Sequence, residues 1–201
     1  MVHICPWKVN WWIEFFFLLA DLLLIFDSYE IISNGFYTKT RNLSAREQAL
    51  LKSIYGLSLP YELIRIDERA RIGPPQGRFC YVSFHTINSW GPMSDVILVH
   101  EAMHVWQYAQ AGAVYIPRAL AAQRTELGYN YGGLEKLRRY PILSLYNYEQ
   151  QADIMADAFC VMNNYRTSWS PGAGSESREV FQPFLETVRR ERDESFGQIE
   201  Q

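Results

Sequence analysis

The sequence predicts an α+β fold in which a small sheet packs on one long helix carrying an H-E-x-x-H motif, followed by a helical subdomain. Three observations support this. Two runs rich in β-formers, residues 62–66 and 78–84, come first. A helix then opens at Ser94 or Asp95, with Val96, Ile97, Val99, Met103 and Trp106 on it. A second strongly helical pattern follows over residues 148–163, with Ala152, Met155, Ala156 and Phe159 at helical spacing.

The bulk numbers fit one domain with tails, since 201 residues at 48% hydrophobic and 20% charged can bury one substantial core. A net charge of −3 with both signs mixed along the chain provides no electrostatic footing for a nucleic-acid partner, so none is expected. Cys5, Cys80 and Cys160 form neither a CxxC pair nor a disulfide framework, and Cys80 and Cys160 are expected as small buried hydrophobes.

Residues 1–34 form a hydrophobic N-terminal segment. Trp11-Trp12-Ile13 and Phe15 to Ala20 lead into Leu22 to Phe26, interrupted by Glu14 and Asp21. This run is shorter than the roughly 20 apolar residues that span a bilayer, and a carboxylate near its middle costs about 2.5–3.5 kcal/mol on insertion. No small-x-small cleavage site precedes Asp27-Ser28-Tyr29, which weakens a signal-peptide reading. Two readings stay open: a helix packed on the domain, or membrane association through residues 11–26 with the tryptophans at headgroup level.

The catalytic-type domain is expected over residues 35–168. Ser44 followed by Glu47 is a capping box opening a helix through Leu50, Leu51 and Ile54, which Gly56 ends. Gly73-Pro74-Pro75 and Gly77 mark a turn between the two strand-like runs. Gly112 terminates the motif helix, and a tyrosine-rich connection with Pro117, Gly128, Gly132-Gly133 and Pro141 leads to the second helix. Residues 169–201 read as a Pro-Gly-Ala-Gly-Ser linker and a charged, solvated tail.

The chemistry is concentrated in His100-Glu101-Ala102-Met103-His104. Helical residues four apart differ by about 40° around the axis and about 6 Å along it, so both imidazoles can reach one ion. Glu101 lies about 100° round from His100, poorly placed as a ligand but able to take a proton from a nearby water. A catalytic zinc site needs a third protein ligand and an open position. Glu149 is the candidate, and Asp153, one turn on, can accept the outer N–H of a ligating histidine. One Zn2+ per chain is therefore expected. Asp157 is a weaker competitor as ligand, and His3 and His85 are left out. Trp106, Tyr108 and Tyr115 read as core in preference to a cleft wall.

His100-Glu101-x-x-His104 followed by Glu149-x-x-x-Asp153 on a second helix resembles the gluzincin metallopeptidases. In finer detail, the run from His100 to Gln107 is similar to the H-E-x-x-H-V-x-Q helix of small bacterial domains associated with type VI secretion and contractile injection systems. The resemblance implies a zincin-like fold, zinc held by His100, His104 and Glu149, Glu101 as general base, and hydrolysis of peptide bonds in a peptide or protein substrate. It also implies a bacterial secreted effector with a secretion-system partner. The alternative it leaves is a catalytically inert zincin-like interaction module of such an apparatus. The transition-state donor stays open among Tyr129, Tyr131, Tyr140 and Tyr146. The asparagine-glutamate pairing of thermolysin-like members is not found, because Tyr148 directly precedes Glu149.

Overall fold

The computed structural model describes residues 9–23, 25, 40–69, 80–123 and 128–190, and these form a mixed α+β arrangement. The expected Gly73–Gly77 turn, Cys5 and residues 191–201 lie outside the described residues.

Four three-residue strands, β1 (Thr40–Asn42), β2 (Arg65–Asp67), β3 (Tyr81–Ser83) and β4 (Thr86–Asn88), form one sheet in the order β1-β2-β4-β3. The β1–β2 and β3–β4 pairs are antiparallel, and β2–β4 is parallel. Ile66 and Ile87 pair in register at the centre, both fully buried. The two anticipated strands are thus shorter than expected, and β1 and β4 were not anticipated. Three residues carry too little alternation to register as a strand.

Helix α2 (Ala45–Tyr55) starts at the anticipated capping box. The Ser44 hydroxyl accepts the Glu47 N–H, and the Glu47 carboxylate accepts the Ser44 N–H at 2.7 Å. Helix α3 (Asp95–Ala111) is capped by Ser94 and closed at Gly112. Its residues 101–108 are all buried, because α3 is enclosed by the sheet, by α2 and by helix α6 (Tyr148–Met162). The α3–α6 contact is the most extensive between any two elements. It packs Met103 and Val99 into one core with Ile154, Met155 and Ala158.

One expectation needs correction, and one connection is more regular than its sequence announces. The connection before α6 contains helices α4 (Tyr115–Gln123) and α5 (Gly133–Arg139). Pro117 is accommodated because it lies in the first turn of α4, where no intrahelical donor is lost. The supposed tail beyond residue 168 contains α7 (Arg178–Arg190), whose Val180, Phe181, Phe184, Leu185 and Val188 are buried in the same core. The charges that mark this segment as solvated include Arg189, which donates to the carbonyls of Ser53 and Ile54 and closes the end of α2.

Helix α1 (Val9–Leu22) rests on the domain near residues 112–118. Asp21 accepts the Ala113 N–H at 2.6 Å, and Glu14 pairs with Arg118 at 3.1 Å. Among the described residues no helix is long and apolar enough to cross a membrane. Cys160 is buried and Cys80 half-buried; both are free thiols, and burial pushes each up to about 11.

Candidate metal centre

Helix α3 sets His100 and His104 one turn apart on one face, with ring centroids 5.2 Å from each other. Glu149 approaches from the first turn of α6, whose start is held by the Asn147–Gln150 capping box. Its Oε2 lies 3.5 Å from the Nε2 of both histidines. One ligand atom from each of the three residues falls within a 4.8 Å cluster. The edge of a tetrahedron with arms of about 2.1 Å is about 3.4 Å, so this spacing suits a zinc ion.

The hydrogen bonding fits a cation as well. Glu149 is 1% exposed, and its Oε1 accepts from the Gln123 amide at 2.9 Å. Its Oε2, facing the histidines, is buried without a hydrogen-bond partner among the described residues. Leaving a carboxylate oxygen so is costly unless a cation occupies the space before it.

Both imidazoles are held with their Nε2 lone pairs inward. His100 Nδ1 lies 2.7 Å from Asp153 Oδ1, the partner anticipated from the sequence. His104 Nδ1 lies 2.8 Å from Gln107 Oε1. The Gln107 amide cannot flip, because its Nε2 donates to the Tyr148 carbonyl at 2.9 Å and to Gln151 Oε1 at 3.0 Å. Each Nδ1 therefore faces an acceptor and carries the proton, leaving Nε2 free to ligate.

Charges at the site are strongly coupled. Burial pulls His100 down, but the carboxylates of Asp153 and Glu149 outweigh it and raise the imidazole to about 10, so a second proton sits at Nε2 unless a cation there takes its place. Burial acts to raise Glu149, yet the two histidines hold it well below the usual carboxylate range. Glu101 is raised, first by burial, with His100 and His104 only partly offsetting it. Its Oε2 is also buried without a partner among the described residues.

The cluster opens into a cavity of about 760 Å³. Its walls are largely apolar, with Val82 and Phe84 on one side, Ile97 on α3, and Ile116 and Leu120 on α4. Tyr115 also lines it, so this residue serves the cavity as well as the core, whereas Trp106 and Tyr108 are core. Among the four candidate tyrosines, only Tyr129 lines the cavity, its ring 6.0 Å from that of His100. Burial first, then the nearby carboxylates of Glu149, Glu101 and Asp153, raise its phenol, which stays protonated. Tyr131 donates to Asp157, Tyr146 donates to backbone carbonyls, and Tyr140 stands on the surface.

Asp157 takes no part in the cluster. It accepts from the Tyr131 hydroxyl and from the N–H groups of Ser168 and Trp169, fixing the loop that brings the Trp169 indole to Asp153. His85 packs edge-on to Tyr108, away from the cluster. Sequence reasoning assigned no role to Gln107, Gln123 or Trp169. Gln107 could have been found from its i, i+3 spacing to His104; the other two carry no local signal.

No protein-family model, curated protein or solved structure matches the chain.

Proposed function

We propose that the chain is a zinc-dependent peptide-bond hydrolase of zincin-like fold, with His100, His104 and Glu149 as ligands. The observation that carries this reading is the Glu149 Oε2, unpartnered among the described residues and 3.5 Å from both Nε2 atoms at the floor of a cavity that also contains Glu101. A zinc ion held there supplies a Lewis acid for the carbonyl and lowers the pKa of water towards about 7.

The chain's own groups divide the remaining work. Glu101, raised by burial, takes the proton of the attacking water and hands it to the leaving amine. The Tyr129 hydroxyl, kept protonated, donates to the oxygen on which negative charge develops. Strand β3 is one of the two sheet edges among the described residues and borders the cavity, so an extended peptide can lie along it. The apolar wall then seats a hydrophobic side chain beside the scissile bond.

Elemental mass spectrometry and turnover of a peptide library test this together. About one zinc per chain is expected, with hydrolysis blocked by a chelator. Glu101→Gln should keep the metal and lose turnover. Metal without turnover in the parent would instead leave an interaction module stabilised by zinc, and no metal uptake would overturn the ligand assignment.

A further inference from the structure

A surface helix ordinarily turns its apolar stripe to the protein and its charges to water. Helix α1 does the reverse. Glu14 and Asp21, seven residues apart and so on one face, both point at the domain, where Arg118 and the Ala113 N–H receive them. Ala20, about 100° round the helix from Asp21, is buried as well and marks one border of the docked face. Facing outward, Trp12, Phe15, Phe16, Leu18, Leu19 and Leu22 are 42–78% exposed.

At 100° per residue those six side chains cover an unbroken arc of roughly 160° of the helix circumference. The stripe a helix turns to a protein core is about 100° wide or somewhat more. An arc of about 160° with no polar side chain in it is wider than that and suits a continuous apolar medium. The 14 residues of α1 reach only about 21 Å, short of the about 30 Å hydrocarbon core, so the helix suits the interface and not a span. Trp11 and Trp12, edge to face at 4.7 Å, stand at its N-terminal end, with the amphipathic rings that favour headgroup level.

We propose that α1 is a monotopic anchor, inserting its outward face about 5–10 Å into the headgroup and acyl boundary of a lipid bilayer. The polar side that an interfacial helix normally supplies itself is replaced by the domain, which neutralises the two carboxylates. Helix α4 receives α1 through Arg118 and walls the cavity through Ile116 and Leu120, so anchoring fixes the height of the cavity mouth above the membrane. This inference does not depend on catalysis.

Flotation of the full chain with phosphatidylcholine vesicles tests it. The protein is expected to float with neutral vesicles, equally between about 0.05 and about 0.5 M salt. Tryptophan emission should be quenched by brominated acyl chains. Phe16→Glu with Leu19→Glu should lower partitioning at least about tenfold while leaving the thermal melt and zinc content as in the parent. Should that variant fold poorly, quenching in the parent decides the matter alone. Failure to float, binding only to anionic vesicles with loss in salt, or a stable dimer that the double variant dissociates would each overturn the proposal.

Discussion

The Trp169 indole N–H donates to one oxygen of Asp153, whose other oxygen holds His100 Nδ1 at 2.7 Å. The loop after α6 thereby reaches His100, the candidate ligand, through one carboxylate. Trp169→Phe keeps an aromatic ring against the core but removes the donor, so Asp153 loses one restraint and His100 its fixed orientation. Zinc affinity should fall about 10- to 100-fold in a chelator competition titration. Unchanged affinity would reduce Trp169 to a packing role.

Tyr129 is the cavity's candidate donor to a developing oxyanion. Tyr129→Phe should lower kcat by about 10²- to 10³-fold, with KM and zinc content close to those of the parent. Steady-state kinetics on a peptide substrate, paired with metal analysis, checks this. A change confined to KM would place the phenol in substrate binding instead.

Gly112 ends α3 at φ +66°, and a Cβ there would lie 2.3 Å from the Asp21 carboxylate that docks α1. Its ψ of −162° adds a conformation that only glycine adopts freely. Gly112→Ala should therefore cost about 1–3 kcal/mol and loosen α1. Urea unfolding should show the loss, and limited proteolysis should cleave within α1 faster than in the parent.

Glu47 is held down at about 2, chiefly by Arg41, with burial opposing and the Ser44 groups assisting. A carboxylate lowered in the folded state stabilises it fully above its ordinary value of 4.5 and progressively less as pH falls towards about 2. Arg41 is 41% exposed, so solvent screening limits the effect to about 1 kcal/mol. Glu47→Gln should lower the urea midpoint at about pH 6 but leave it nearly unchanged below about pH 2. An equal loss at both pH values would assign the effect to capping geometry alone.

Much of the site was legible along the chain because its first relationships are local. Helix α3, its Ser94 cap, its Gly112 stop and the His100–His104 pair depend on neighbours one to four residues apart. The same holds for the Glu149–Asp153 spacing on α6 and the capping box of α2. The burial of α7 was obscured because Glu186, Arg189 and Arg190 mask an apolar face recurring at positions 180, 181, 184, 185 and 188.

By itself the sequence determined helices α2, α3 and α6, the caps of α2 and α3, and which donors share a face. These follow from dihedral preferences and the 3.6-residue period. Only the tertiary structure decided that Glu149 Oε2 meets both Nε2 atoms, that Gln123 holds Glu149, and that Trp169 reaches Asp153. It also turned Glu14 and Asp21 inward and left the apolar face of α1 outside. The physical reason is that these relationships join different elements, and the burial of side chains between α3 and α6, together with the docking of α1, sets which surfaces meet.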